Sequence, residues 1–306
     1  MSLRSSFIFF GTSRLSVIVL ETLAIHGLIP KAIITSPDRP KGRKLILTPP
    51  LTKIYGDKQN IPVLQFEKLD SDAIDKIKSI CGPSIIDFFL VASYGLIIPQ
   101  AVLDIPKFGT LNIHPSLLPK YRGATPIQQA ILDDEKNTGI TIMLMDAKMD
   151  HGPVLIQEKR IDIAGVPGLS WPKKYDDLEE ELAVQAANIL GQNIDKILSG
   201  EIVPVEQNHA EATFTKKIQK PDGLIHINKL GADEGYKQFL KFNAFHTWPT
   251  CFFFVDKMHG GDATVTPMRV KITDAIWSAE ENTMKILKVI PEGQKEVEYS
   301  EFLKRT

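Results

Sequence analysis

Cysteine is scarce in this 306-residue chain, which has only Cys81 and Cys251, far apart and without Cys-x-x-Cys spacing. That scarcity argues against a disulfide framework and against a cysteine-based metal site, and it fits a reducing compartment. Apolar runs are short as well: the run from Phe7 to Phe10 is followed at once by Gly11. No stretch reaches the roughly 18 apolar residues of a membrane span. We therefore expect a cytoplasmic protein.

Neither sign of charge dominates, because 36 Lys and Arg residues nearly balance 37 Asp and Glu residues. A polyanionic partner would have to be held by a local basic segment and not by the surface as a whole. The chain also lacks the Gly-x-Gly-x-x-Gly and Walker patterns, since the first strand-like run is followed only by "GTS". A dinucleotide cofactor is therefore not expected. The 7 histidines show no metal-ligand spacing, so we predict no metal.

Strand-like and helix-like runs alternate in the first part of the chain. "SFIFFG", "KAIITS" and "SIIDFFLVAS" are separated by helix-like segments, which predicts an α/β fold with a mainly parallel sheet. In such sheets ligands bind beyond the carboxyl ends of the strands. Later, "LIHI", "CFFFV", "ATVTPMRVKITDAIW" and "MKILKVI" predict a small β-barrel. We expect a first domain at 1–190, a linker at 191–207 and a second domain at 208–306.

The stretch "TLNIHPSLLPKYRGATP" carries the first candidate catalytic residues. Asn112 and His114 end a predicted strand and lie two positions apart, on one face. An amide and an imidazole can hold an oxyanion and move a proton, although structural hydrogen bonds are the plainer interpretation of Asn-x-His alone. "MDAKMDHGP" adds Asp150, whose carboxylate either orients the imidazole or caps a turn. Lys120 and Arg122 follow the histidine, and we expect them near the entrance of the site.

A basic, proline-rich loop, "SPDRPKGRKLILTPP", is the second feature that needs an explanation. Its four prolines and one glycine exclude a regular helix. Two interpretations stay open: a solvated surface loop, or an arm that contacts the phosphates of a nucleic acid. In the second interpretation, a smaller basic cluster in "TFTKKIQKPDG" would extend the surface that contacts the phosphates. The basic residues of interest are Arg39, Lys41, Arg43, Lys44, Lys216 and Lys217.

Several motifs resemble those of a known enzyme family. "NIHPSLLPKYRGATPIQQAI" and "TGITIMLMDAKMDHGPVL" resemble the signature of enzymes that transfer a formyl group from 10-formyltetrahydrofolate to an amine. "TSPDRPKGRK", "ATFTKKIQKPDGLI" and "FNAFHTWPTCFFF" are similar to the methionyl-tRNA formyltransferases within that superfamily. The resemblance covers nearly the whole chain. It implies a Rossmann-like catalytic domain followed by a tRNA-binding barrel of the oligonucleotide-binding type.

The resemblance also implies roles for individual residues. The co-substrate would be 10-formyltetrahydrofolate, the acceptor methionyl initiator tRNA, and the product would serve translation initiation. Asn112, His114 and Asp150 match the catalytic trio, and "VASYGLIIP" matches the segment that lines the pterin pocket. The folate-contacting stretch is Ser116, Leu117, Leu118 and Pro119. The residues that would contact the tRNA are Arg39, Lys41, Arg43, Lys44, Lys216 and Lys217.

Some positions depart from the family pattern. After "GT" the family usually has a proline and an aromatic residue, whereas Ser13, Arg14 and Leu15 follow here. His151 stands where many members have threonine, and Ile46 where many keep another basic residue. Two alternatives therefore stay open: a formyltransferase for a nucleotide-linked amino sugar, and a tRNA-binding protein without catalysis. The basic loop argues against the first and the intact trio against the second. We expect a monomer, because one chain carries both sites.

Overall fold

The computed structural model describes residues 5–42, 44–81, 86–160, 171–258 and 265–305. The chain divides into two compact units. Unit 1 comprises the described residues within 1–123, 137–160 and 179–214, and unit 2 those within 124–136, 161–178 and 215–306. The expected domain boundaries stay a prediction, and the first part of the expected linker is helical up to Leu198.

Unit 1 is built on a seven-stranded sheet. The described strands of unit 1 are β1 (Phe7–Phe10), β2 (Ala32–Thr35), β3 (Arg39–Lys41), β4 (Ile46–Thr48), β5 (Val63–Gln65), β6 (Phe88–Val91), β7 (Thr110–His114), β8 (Gly139–Leu144) and β9 (Val154–Lys159). The sheet order is β5-β2-β1-β6-β7-β8-β9, with β3 and β4 forming a separate hairpin. Neighbours from β5 to β7 are parallel, whereas β8 and β9 are antiparallel. The predicted mainly parallel sheet is confirmed.

The described residues form eight α-helices. They are α1 (Arg14–Ile25), α2 (Leu51–Gln59), α3 (Ser71–Cys81), α4 (Gln100–Leu103), α5 (Pro126–Leu132), α6 (Tyr175–Leu198), α7 (Ala232–Ala244) and α8 (Tyr299–Leu303). Of these, α5, α7 and α8 lie in unit 2. Every residue of β1 and β6 is buried, as continuous apolar runs require in a sheet covered on both faces. Within the described ranges, no helix is both long and apolar enough to cross a membrane.

The sheet has a topological switch point at β1. From β1 the chain proceeds to β2 and β5 on one side, and it then returns to β6 and β7 on the other. Ligands of open α/β sheets bind outside the carboxyl ends of the strands at such a point. The loops that follow β1 and β6 meet there, because the Thr12 N–H donates to the Ser93 carbonyl at 3.2 Å.

Ser16 fixes the loop after β1. Its hydroxyl oxygen accepts hydrogen bonds from the Thr12 and Ser13 N–H groups at 3.0 and 3.1 Å, and it donates to the Ala92 carbonyl at 2.6 Å. A Cβ atom on Gly11 would lie 2.7 Å from that carbonyl, so the close approach requires glycine. Arg14, one of the departures from the family pattern, forms an ion pair with Glu179 at 3.2 Å.

Unit 2 contains a separate antiparallel sheet in the order β10-β11-β12-β13. Its strands are β10 (Phe252–Met258), β11 (Val265–Ser278), β12 (Thr283–Pro291) and β13 (Val297–Glu298). The predicted C-terminal β-structure is thus confirmed, but "LIHI" is not one of its strands. Only Leu224 forms a single bridge to Phe252, and a 3₁₀ turn follows at Ile227–Lys229. Ile225 donates its N–H to the Phe252 carbonyl at 2.7 Å, whereas the next N–H, of His226, points to the Gln238 side-chain oxygen at 3.4 Å.

Candidate active site

Strand β7 supplies the first two polar groups of the site. Asn112 pairs with Val91 of the parallel neighbour β6, and His114 pairs with Thr141 of the antiparallel neighbour β8. Their spacing of two places both side chains on one face of the sheet. Both are buried, like the rest of this strand. Buried polar groups need hydrogen-bond partners, and their partners define the site.

Asp150 is the group that both side chains face. Its Oδ1 atom accepts a hydrogen bond from Asn112 Nδ2 at 3.3 Å and lies 3.6 Å from His114 Nδ1. Its Oδ2 atom accepts a hydrogen bond from the Gly123 N–H at 2.7 Å. His114 Nε2 lies 3.0 Å from the Tyr121 carbonyl. Because a carbonyl only accepts, Nε2 carries a hydrogen in this arrangement, and Nδ1 is the ring atom that faces the carboxylate.

The structure therefore brings together all three predicted catalytic side chains. It also distinguishes the two interpretations of Asp150, because its carboxylate is bonded to residues 38 and 27 positions away and is not used on its own turn. Asp150 has a φ of 48°, in the left-handed region that is unfavourable for residues other than glycine. Two residues later, a Cβ atom on Gly152 would lie 2.1 Å from the Leu144 carbonyl, so glycine is required there.

The predicted folate-contacting stretch forms the turn after β7. The Ser116 hydroxyl is buried and donates to the Lys120 carbonyl at 2.7 Å. Leu118 donates its N–H to Thr141 Oγ1 at 3.2 Å, and its carbonyl accepts from Gln157 Nε2 at 2.7 Å. These polar atoms hold the turn itself. The part that stays accessible is the apolar surface of the half-buried Leu117 and Pro119.

The segment after β6 presents a buried polar atom. The Tyr94 hydroxyl is inaccessible to solvent and has no hydrogen-bond partner among the described residues. The edge of its ring packs against Phe10, with the ring centroids 5.5 Å apart. Burial raises the pKa of Tyr94 to about 12, so the hydroxyl keeps its proton at neutral pH. A ligand with a polar edge would supply the missing partner.

The basic residues predicted to contact RNA are divided between the two units. Arg39 and Lys41 lie on β3 and Lys44 follows in the turn of the β3–β4 hairpin, all exposed. Arg39 forms an ion pair with Glu67. Arg43 lies outside the described residues. Lys216 and Lys217 are exposed residues of unit 2.

The sequence led us to expect Arg122 near the entrance of the site, but the structure buries it. It is 3% exposed, and its Nη2 atom donates to Gln207 Oε1 at 2.7 Å and to His209 Nδ1 at 2.8 Å. Gln207 in turn donates from Nε2 to the carbonyls of Asp150 and Gly152, at 3.0 and 2.7 Å. Gln207 and His209 were not predicted as site residues, because the polar segment that contains them has the composition of a solvated linker.

Two imidazole rings stack beside Asp150. The His151 and His209 ring centroids are 4.0 Å apart, with 9° between the ring planes. His151 Nδ1 lies 2.6 Å from Asp146 Oδ2. Loss of hydration lowers the pKa of His209, and the charges of His151 and Arg122 lower it further. Within the described ranges, no group of three or more His, Cys, Asp or Glu side chains is arranged to hold a metal ion.

Comparison with known sequences identifies the family. The sequence profile of the formyl transferase family matches residues 7–186. This chain belongs to that family. Among the relatives of this formyltransferase, the methionyl-tRNA formyltransferase of Thermodesulfovibrio yellowstonii is 35% identical and is aligned over 98% of this chain and 95% of its own length. The predicted enzyme class, a one-carbon transferase that uses 10-formyltetrahydrofolate, is confirmed.

Solved structures share the fold of this formyltransferase. The methionyl-tRNA formyltransferase from Clostridium thermocellum superposes with a TM-score of 0.55 at 16% identity, covering 96% of this chain and 99% of that one. The N-formyltransferase from Helicobacter canadensis, in complex with folinic acid and dTDP-3-aminofucose, gives 0.58 at 16% identity, covering 90% and 89%. At these identities the likeness shows the fold alone.

The stacked histidines generate a pH prediction. We expect His209 in the folded enzyme to titrate below its ordinary value of 6.5. As the pH falls below 6.5, the unfolded chain then binds this proton before the folded chain does, so the folded state loses stability. His151→Gln removes one of the lowering charges and raises the pKa of His209.

An NMR titration of the His209 Cε1–H resonance measures this pKa, and His246→Gln serves as the control. His246 Nδ1 lies 2.9 Å from Asp176 Oδ2, and its ring does not stack on His209. A native His209 that titrates at or above 6.5 would contradict the predicted shift.

Proposed function

We propose that this formyltransferase transfers the formyl group of 10-formyltetrahydrofolate to the α-amino group of methionyl initiator tRNA. The product is N-formylmethionyl-tRNA, which serves translation initiation. The observation that carries the proposal is the convergence of Asn112, His114 and Asp150, in a chain aligned over nearly its full length with a methionyl-tRNA formyltransferase. A cytoplasmic setting and a monomeric state belong to the same proposal.

The folate would bind at the switch point, between the loop after β6 and the turn after β7. The buried Tyr94 hydroxyl is a donor that a polar pterin edge can satisfy. The apolar surfaces of Leu117 and Pro119 offer van der Waals contact, while Ser116 and Leu118 keep the shape of the turn. We assign the predicted folate contacts in this sense: two residues touch the ligand and two support them.

Asn112 would stabilise the negative charge that develops during transfer. Attack of a neutral amine on the formyl carbon gives a tetrahedral intermediate with an anionic oxygen. Asn112 Nδ2 has two hydrogens, and Asp150 Oδ1 takes one of them at 3.3 Å. The second hydrogen donates to the anionic oxygen, assisted by His114. A donor that is already oriented stabilises the transition state without the cost of reorganisation.

His114 would move the protons of the reaction. The attacking amine must lose a proton, and the leaving nitrogen of the folate must gain one. The contact of Nε2 with the Tyr121 carbonyl fixes the ring, and Asp150 lies 3.6 Å from Nδ1. A fixed ring beside a carboxylate can accept a proton at Nδ1 and release it again.

The β3–β4 hairpin would hold the nucleic acid. Lys41 and Lys44 are exposed cations on a short hairpin in which Arg39, Pro40, Ile46 and Leu47 are exposed as well. Phosphate contacts of this kind supply affinity without reading the sequence. Arg39 is ion-paired with Glu67, so it contributes to the hairpin's anchorage as well as to its charge. Arg43, Lys216 and Lys217 complete the proposed set.

The release of tetrahydrofolate from 10-formyltetrahydrofolate tests this function. We expect release with methionyl initiator tRNA, and none above background with uncharged tRNA or with a nucleotide-linked amino sugar. Release with the sugar alone would replace the acceptor but keep the chemistry. Absence of release with either acceptor would contradict the proposed function.

Removal of the oxyanion donor should abolish most of the activity. We expect Asn112→Ala to lower kcat by about a hundredfold to a thousandfold, the usual effect of losing one such donor, and His114→Ala to act in the same direction. Asn193→Ala is the matched control, because Asn193 only donates to the Ile189 carbonyl of its own helix, at 2.9 Å. Folded variants with wild-type turnover would exclude these roles.

Salt dependence should report the phosphate contacts of the hairpin. We expect the affinity for tRNA to fall steeply with salt, and each of Lys41→Ala and Lys44→Ala to lower the slope of log K against log salt by about 1. Lys78→Ala changes an exposed lysine on α3 and serves as the control. An unchanged slope in both hairpin variants would place the RNA elsewhere.

A further inference from the structure

Gln207 connects two parts of the active site through one amide group. Its Oε1 atom accepts from Arg122 Nη2, while its Nε2 atom donates to the carbonyls of Asp150 and Gly152. The orientation of the amide is unambiguous, because a guanidinium can only donate and carbonyls can only accept. All three bonds are 3.0 Å or shorter, and the side chain is 7% exposed.

The backbone that Gln207 holds is in an unfavourable conformation. Asp150 has a φ of 48°, a conformation that is unfavourable for a residue other than glycine and persists only where the surroundings impose it. The course of the chain between β8 and β9 is a second constraint on Asp150. Met145 donates its N–H to the Thr110 carbonyl, at the amino end of β7, yet Asp150 contacts Asn112 and approaches His114 further along the strand. The connection between β8 and β9 must therefore fold back along β7.

Gln207 also supports the Gly123 N–H, which is the second hydrogen-bond donor to the Asp150 carboxylate. The Gly123 N–H that reaches Asp150 Oδ2 directly follows Arg122 in the chain. Arg122 donates its own N–H to the Thr213 carbonyl at 2.8 Å and its side chain to Gln207. One amide thus ties the turn that carries the carboxylate to the turn that carries its donor.

We propose that Gln207 is a positioning residue: it holds Asp150 in the left-handed conformation from which the carboxylate reaches Asn112, His114 and Gly123. Gln207 touches no reacting atom in this account and acts only through Asp150. The kinetic part of the inference rests on the proposed function, whereas the structural part does not.

The test uses Gln207→Glu in the full-length enzyme. A carboxylate keeps the acceptor for Arg122 but cannot donate to the two carbonyls, so only the bonds to the Asp150 turn are lost. Gln238→Glu is the matched control, because Gln238 is 6% exposed, comparable to Gln207, and uses Oε1 to accept from the His226 N–H. Gln207→Met is a second variant, without an added charge.

The structural readout is the Gly123 amide resonance in enzyme labelled with ¹⁵N-glycine. Asp150→Ala identifies the shift that follows loss of the carboxylate. We expect Gln207→Glu and Gln207→Met to shift this resonance in the same direction and to speed its hydrogen exchange, and Gln238→Glu to leave it unchanged. This result needs no acceptor, so it decides the inference even if methionyl-tRNA is not the substrate. An unchanged Gly123 resonance in both Gln207 variants would overturn the proposal.

The kinetic readout is a double-mutant cycle. We expect Gln207→Glu to lower kcat on the order of tenfold to a hundredfold, as small misplacements of reacting groups do, with KM for folate and tRNA changed less than about threefold. In the Asp150→Ala background the same substitution should lower kcat no further, because two residues that act as one unit are not additive.

A purely structural role predicts the opposite result. Gln207→Glu would then lower kcat by the same factor in the wild-type and the Asp150→Ala enzymes. That loss would parallel the fall in melting temperature, and Gln238→Glu measures how much kcat changes for a given fall. Equal losses in both backgrounds, or global unfolding of both Gln207 variants while Gln238→Glu stays folded, would overturn the assignment.

Discussion

The active site depends on how the carboxylate of Asp150 is held. A largely buried carboxylate requires donors, and it receives them from Asn112 on β7 and from the Gly123 N–H after the following turn. These segments meet because the strands that follow β7 are paired in antiparallel orientation. Antiparallel β8 and β9 return the chain beside β7, so the connection between them can lie along the strand that carries Asn112 and His114.

The segment after α6 completes the site. It runs beside the turn that follows β7: Thr213 donates its N–H to the Pro119 carbonyl, at 3.3 Å, and accepts from the Arg122 N–H, at 2.8 Å. Through Gln207 it also reaches the turn of Asp150. A segment whose composition predicts a linker therefore supports the two turns of the site. It does so through hydrogen bonds from polar residues, so it shows none of the apolar pattern by which a core segment is recognised.

Sequence alone predicted the proposed catalytic groups but not the groups that hold them. Buried runs such as "FIFF" predict the parallel strands, and the spacing of Asn112 and His114 places them on one face. No periodicity relates Gln207 to Asp150, since 57 residues separate them. Nor does composition distinguish a buried arginine from a solvated one, which is why Arg122 was wrongly expected at the entrance.

Part of the backbone strain lies in the loops of the proposed site. Nine described non-glycine residues have a positive φ, and three of them, Ser93 (53°), Tyr121 (62°) and Asp150 (48°), lie in these loops. The carbonyl of each accepts a hydrogen bond from another segment: Ser93 from Thr12, Tyr121 from His114, and Asp150 from Gln207. Strained residues persist only when their surroundings impose the conformation. These contacts are all made within the chain, so the chain itself supports the strained conformations of the loops that build the proposed site.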